Sequence, residues 1–210
     1  MKNLLVVASS VLLSLAGITN SPLSSPVRWS VNGHYYEARL RNVNWQTAQD
    51  ECLAGGGYLA TITSLEENAF VFGLVSGDSA FWYWDDRGYG YGPWLGGFQP
   101  DGSPEPAGNW EWVTGEPFTY TNWDVNQPDN DNGNQSRLRF FKTGGLIGDR
   151  WDDAYHDPPV AVLRGYIFET DTVVPSLSTV SLLVLQVVLV LLGTLMILRM
   201  ISRGKRVRVT

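Results

Sequence analysis

Two short stretches of this 210-residue chain carry the side chains best suited to chemistry. One is Gln127-Pro128-Asp129, set in an Asn-rich run, and the other is Asp152-Asp153, directly after Trp151. Their oxygens are hard. Calcium takes about six to eight oxygen ligands, and carboxylates with amide carbonyls provide them. A cis peptide bond is cheap only before proline, so Pro128 suits a loop bent into a clamp. Covalent chemistry has no comparable footing, since no nucleophile stands beside a base. Glycoside cleavage needs two acids facing each other roughly 5–9.5 Å apart, and adjacent Asp152 and Asp153 do not supply that. The chain therefore reads as a binding protein and not an enzyme. Cys52 is alone, so no disulfide closes within the monomer. Cysteine-ligated zinc is excluded too, and His34 and His156 are a poor basis for any zinc site.

The elements that must position these residues can be read in outline. Asn44 is placed to cap a helix from Trp45 to about Ala54, with Trp45, Ala48 and Cys52 on one face. Gly55-Gly56-Gly57 ends it, and Tyr58 to Ile62 is a short apolar strand. Ser64 with Glu67 three residues on is a capping box for a second helix, which buries Phe70, Val71 and Leu74. From Ser76 to Asn134 the chain is crowded with Gly, Pro, Asn, Asp and Trp. Only Trp94–Phe98 and Trp110–Val113 look like strands there, and ordered loops of that length are usually functional. Strands return at Arg137–Phe141 and Gly165–Glu169. Two helices, short strands and a large loop region make an α+β domain.

Charge divides the chain into parts. The formal −6 comprises +1 at the N-terminus, −12 between Arg28 and Asp171, and +5 in the last twelve residues. All 26 aromatic residues fall between Trp29 and Phe168. An acidic middle with no basic stripe excludes a nucleic-acid partner, and its aromatic content argues against disorder. Residues 1–25 read as a signal peptide: Lys2, then an apolar stretch from Leu4 to Leu15 that is short for a membrane span. Residues 27–171 are the domain, and 172–179 a linker. Residues 180–198 are an apolar run long enough, at roughly 28 Å, for one transmembrane helix. The basic tail 199–210 then holds the C-terminus in the cytoplasm and the domain outside.

The order of motifs resembles the C-type lectin-like domain. Trp45…Ala48…Cys52 leads to Gly56-Gly57-Tyr58-Leu59-Ala60, Ile62, Ser64 and Glu67. Then come Trp94-Leu95-Gly96-Gly97, Trp110-Glu111-Trp112-Val113, Thr121-Asn122-Trp123, Gln127-Pro128-Asp129, Trp151-Asp152-Asp153 and Gly165-Tyr166-Ile167-Phe168-Glu169. The resemblance spans the whole domain. It implies a double-looped α+β fold with two helices and short antiparallel strands, whose two ends pair as neighbours. It also implies a calcium-dependent sugar site. Gln127, Asp129, Gln135, Asp152 and Asp153 fall on the metal positions, and Gln127, Asp129, Asp152 and Tyr155 on or beside the ligand.

Departures from the family pattern accompany the match. Gln135 stands where a carboxylate is usual, and Asp152 where asparagine is usual, so a charge is removed at one place and restored at another. Gln-Pro-Asp is associated with galactose-type ligands. Asn130 and Asp131, however, occupy the place of the stacking aromatic, leaving Tyr155 or His156 to substitute. Phe168 replaces the partner cysteine of Cys52, which makes Cys52 a small buried hydrophobe or, as the alternative, an exposed thiol for dimerisation. Phe81-Trp82-Tyr83-Trp84 and Tyr89-Gly90-Tyr91 stand outside the expected core as candidates for a ligand surface.

Val174-Pro175-Ser176-Leu177 before the apolar run resembles bacterial sorting signals of the exosortase type. That implies a membrane transpeptidase as partner and transfer to the cell surface or matrix, although a plain retained anchor explains the same residues. The expected function is an exported, surface-anchored module that binds a glycan or exopolysaccharide through calcium. The alternative is a lectin-like fold that holds a protein or matrix partner without metal.

Overall fold

Two side-chain caps fix the helices of the computed structural model, which describes residues 25–155, 164–172, 184, 186–192 and 194. Asn44 accepts a hydrogen bond from the Thr47 amide at 2.9 Å and starts α1, Trp45–Ala54. Ser64 accepts from the Glu67 amide at 3.1 Å and starts α2, Leu65–Gly73. Each cap satisfies an amide that the first helical turn leaves without a partner. The returning arm of the second cap differs from expectation. Glu67 accepts from the amide and hydroxyl of Thr63, at 2.6 and 2.9 Å, one residue before the cap.

Among the described residues, nine strands form one sheet. They are β1 (Val27–Arg28), β2 (Tyr35–Arg39), β3 (Tyr58–Leu59), β4 (Tyr83–Trp84), β5 (Gly90–Phe98), β6 (Glu111–Trp112), β7 (Gln135–Lys142), β8 (Arg150–Tyr155) and β9 (Tyr166–Thr170). The order is β1-β2-β9-β5-β7-β8, with β3 on β9 and both β4 and β6 on β5. The antiparallel pairing of β2 with β9, from Tyr35 opposite Thr170 to Arg39 opposite Tyr166, brings the ends of the domain together. This is the closure that the resemblance implied.

β5 starts at Gly90, four residues earlier than the sequence pattern suggested. A side chain at Gly92 would come within 2.9 Å of Trp82 and Phe140. Glycine is thus what lets this strand close against the core, and its presence hides the strand from a pattern of apolar side chains.

Two apolar cores lie against the sheet. Trp45, Ala48 and Cys52 of α1 pack with Leu59, Trp94 and Phe168. Cys52 is fully buried and burial pushes its thiol up to about 12, so the alternative of an exposed, dimer-forming cysteine is corrected. The larger core holds Val71, Trp112, Phe140 and Trp151, with Trp123 partly buried against it. Phe81 and Trp82 are buried there too, which removes them from any ligand surface.

Among the described residues, no helix is long and apolar enough to cross a membrane. Within the expected span 180–198, residues 184, 186–192 and 194 are helical, and the remainder lies outside the described residues. The signal segment up to residue 24, His156, the Val174–Leu177 motif and the basic tail also lie outside them.

Candidate functional site

The site is assembled on the β7–β8 edge of the sheet. Their register sets Gln135 opposite Tyr155 and Arg139 opposite Asp152. β8 is anchored from behind by Trp151, which is fully buried and donates its indole N–H to Asn68 Oδ1 of α2 at 2.8 Å. The rings of Trp112, Tyr120 and Trp123 pack edge-on against it. With Trp151 fixed, the two aspartates that follow have little freedom.

The loop carrying the tripeptide is held by its own polar groups. Asn126 and Asn130, on either side of it, adopt left-handed backbone with φ of 66° and 46°, a conformation asparagine tolerates better than most residues. The Gln127–Pro128 peptide is cis. Asp153 accepts from the amides of Asp129 and Asn130 at 2.9 and 2.7 Å, one with each carboxylate oxygen. Gln135 Oε1 and Asp129 Oδ1 both accept from the Asp131 amide, at 2.6 and 3.1 Å. Asn132 donates to the Tyr155 hydroxyl at 2.9 Å.

Facing this loop is the β4–β5 hairpin. Tyr83 stacks on Tyr91 with ring centres 6.0 Å apart. Asp85 takes the Tyr91 hydroxyl at 2.9 Å, Arg87 Nε at 2.8 Å and the Tyr89 amide at 2.9 Å. Burial alone would raise the Asp85 carboxyl, but the Tyr89 amide and Arg87 outweigh it and hold it below the usual carboxylate range. Between hairpin and loop lies a cavity of about 290 Å³, lined in part by Tyr83, Tyr91, Gln127, Asp129, Arg139 and Asp152.

Arg139 is the centre of its charge balance. It donates from Nε and Nη2 to Asp152 Oδ2 at 3.1 and 2.7 Å, with the two side chains only 7 % and 4 % exposed. Its guanidinium also lies 4.3 Å from the Tyr91 ring centre. Burial pushes the Asp152 carboxyl up to about 7 against the pull of Arg139, and the charges of Asp153 and Asp129 add to the rise. Burial raises Asp153 to about 6, opposed by the two amides it accepts.

Of the predicted residues, Gln127, Asp129, Gln135, Asp152 and Tyr155 all line the one cavity. Asp153 instead holds the loop. The oxygens proposed as metal ligands are largely committed elsewhere: Asp153 to two amides, Gln135 to one, Asp152 to Arg139, and Asp129 to the Asp131 amide and Gln127 Nε2. Gln127 Oε1 is the exception, buried and with no hydrogen-bond partner. Among the described residues, no group of three or more His, Cys, Asp or Glu side chains is arranged to hold a metal ion. An ion held by Asp152 Oδ2 would have to displace two N–H groups of Arg139 from that oxygen and would sit about 5 Å from the guanidinium charge. As arranged, these side chains do not fit calcium.

Sequence reasoning missed Arg139, whereas Tyr83, Tyr89 and Tyr91, candidates for a ligand surface, line the cavity. Arg139 gave no local signal, because in a strand it alternates with Leu138 and Phe140 and reads as a solvent-facing residue.

Comparison with known proteins agrees with the architecture. Residues 41–146 match the family model described as Lectin C-type domain. Perlucin-like protein of Mytilus galloprovincialis is 29% identical over 146 residues, which is 68% of this chain and 82% of that protein. Lectin BRA-3 of Megabalanus rosa is 29% identical over 154 residues, 71% of this chain and 83% of that protein. Among solved structures, a Ca2+-dependent type II antifreeze protein in its Ca2+-free form is similar with a TM-score of 0.52 at 26% identity, covering 70% of this chain and 98% of that one.

Proposed function

The chain belongs to the C-type lectin domain family, and we propose that it is a carbohydrate-binding module whose sugar site is the cavity between the β4–β5 hairpin and the Gln127–Asp129 loop. One observation carries this reading. Gln127, whose Oε1 is buried without a hydrogen-bond partner, lines the same cavity as the stacked pair Tyr83 and Tyr91. Sugars offer hydroxyl donors on their edges and an apolar C–H face, so acceptors and aromatic rings in one cavity match both. The relative named a lectin supports the same reading.

Binding of a hydroxyl-rich ligand needs no covalent step. The ligand hydroxyls bond to Gln127 and to the carboxylate of Asp152, while its ring packs on tyrosine. A glycan array probed with the full chain in detergent tests this. Binding that weakens in Gln127→Leu and in Tyr83→Ala is expected, and no glycan bound above background would sink the reading.

Export and membrane attachment rest on the sequence of the two ends, with one added observation. Residues 187–192 are helical, and all six of their side chains are apolar and exposed. A helix apolar on every side needs an apolar surrounding. A bilayer supplies that surrounding, and the domain then stands outside it. Transfer by a sorting transpeptidase at Val174–Leu177 is the further step of the same reading. A chain retained in the membrane fraction at full mass in the native cell would count against that cleavage.

A further inference from the structure

We infer that Arg139 supplies, from within the chain, the positive charge that the family's sugar sites take from calcium, so that this site binds its ligand without metal. The inference rests on the sugar-binding reading of the cavity and adds how the charge there is balanced.

Three observations carry it. The first is position. Arg139 lies directly opposite Asp152 across the β7–β8 pair and turns two N–H groups onto one carboxylate oxygen. The second is confinement. Both side chains are almost fully buried, and the guanidinium is packed between the rings of Tyr91 at 4.3 Å and Trp94 at 6.0 Å. Guanidinium is charged at every accessible pH, so the cation cannot leave as an ion can. The third is the fate of the remaining oxygens. Asp153, Gln135 and Asp129 accept from the amides of residues 129, 130 and 131, which turns them toward the loop's own backbone.

The two sequence departures then have one explanation. Gln135 withdraws a negative charge from the site, and Asp152 restores one at the position Arg139 can reach. Together Arg139 and Asp152 present a fixed donor–acceptor pair at the wall of the cavity that Gln127 also lines. A ligand with neighbouring hydroxyls can donate to one and accept from the other. The pair suits a neutral, hydroxyl-bearing ligand, recognised directly and not through a metal.

The test is a calcium titration of the full chain by calorimetry and thermal melting, run in parallel with glycan binding in calcium and in chelator. No saturable calcium heat, a melting midpoint indifferent to calcium and glycan binding unchanged by chelator are expected. A resident calcium site held at about 100 times its Kd would raise the midpoint by roughly 5 °C or more, and that result overturns the inference. In Arg139→Gln, glycan binding should fall at least tenfold; binding equal to wild type in chelator also overturns it. Should Arg139→Gln not fold, Arg139→Lys retains the charge and must stay calcium-indifferent. If no glycan binds in any condition, the sugar reading fails, while the calcium titration still decides the role of Arg139.

Discussion

Trp151 and Asn68 meet across 83 residues of sequence, indole N–H to amide oxygen at 2.8 Å, and this bond ties α2 to the strand that carries both site aspartates. Asn68 is fully buried and also donates to the Asp149 carbonyl at 3.1 Å. Asn68→Leu keeps the volume and leaves the buried indole N–H without a partner, while the Asp149 carbonyl keeps the Asn122 amide at 2.8 Å. The expected loss is about 1–3 kcal/mol for the orphaned indole, read as a lowered denaturant midpoint at unchanged slope. A variant as stable as wild type would show that the bond is incidental.

The second prediction concerns pH. His34 Nδ1 lies 2.7 Å from Glu169 Oε1, which also accepts from the Tyr36 hydroxyl. Burial raises the Glu169 carboxyl from 4.5 to about 7, opposed by His34, the Thr61 amide and Tyr36. Burial acts to lower His34, but its hydrogen bond to Glu169 and that residue's charge prevail and raise it above 6.5. Both groups keep protons in the fold that the unfolded chain has released. Their stabilisation is full below the ordinary values and is lost as pH rises through the raised ones. Melting curves of wild type and His34→Gln, from about pH 5 to about pH 9, should differ most at the acid end and converge toward the alkaline end. A gap that widens with pH would contradict the assignment.

Asp153 is expected to act by holding the loop and not by touching ligand. Asp153→Ala removes the acceptor of two amides, with an expected loss of about 1–3 kcal/mol in stability. If about 1.4 kcal/mol of that reaches the binding step, affinity falls tenfold. Asp153→Asn keeps an acceptor for one amide and should fall between the two. Titration of each variant with a glycan found on the array separates these outcomes, and equal affinity for all three would rule out the positioning role.

Tyr83 is the most direct test of the aromatic wall. Tyr83→Ala should lower affinity by about 2- to 10-fold, from a ring contribution of about 0.5–1.5 kcal/mol. Tyr83→Phe should retain it. Loss in both variants would point to the hydroxyl and away from stacking.

The parts of the fold legible in sequence were those decided locally. Asn44 and Ser64 announce their helices because a cap acts within three residues, and Trp45, Ala48 and Cys52 show one face by spacing alone. β5 was legible only from Trp94 on, since Gly90 and Gly92 hide a strand whose logic is the closeness of Trp82 and Phe140. The site shows the same division. Gln127, Asp129 and Asp152 stand in motifs, and the fold brings them to one cavity. What their oxygens do was not legible, because backbone amides at 129, 130 and 131, together with a guanidinium on another strand, determine it. Arg139 and Asp152 are thirteen residues apart in sequence and become opposite only through the β7–β8 register.

The pairing of β2 with β9 also has a mechanical meaning. Val27 lies opposite Tyr36, and Tyr36 lies opposite Glu169, so the chain enters and leaves the domain within two strand spacings. The cavity belongs to β7 and β8, at the far side of the strand order. A pull between a captured polymer and a tether beyond Thr170 therefore crosses the sheet through β5, and β2 is not in its path. A pull on both ends of the domain instead strips β1 from β2 and then peels β2 from β9 one pair at a time, from Tyr35 and Thr170. The cavity and the two ends of the domain thus load different pairs of strands.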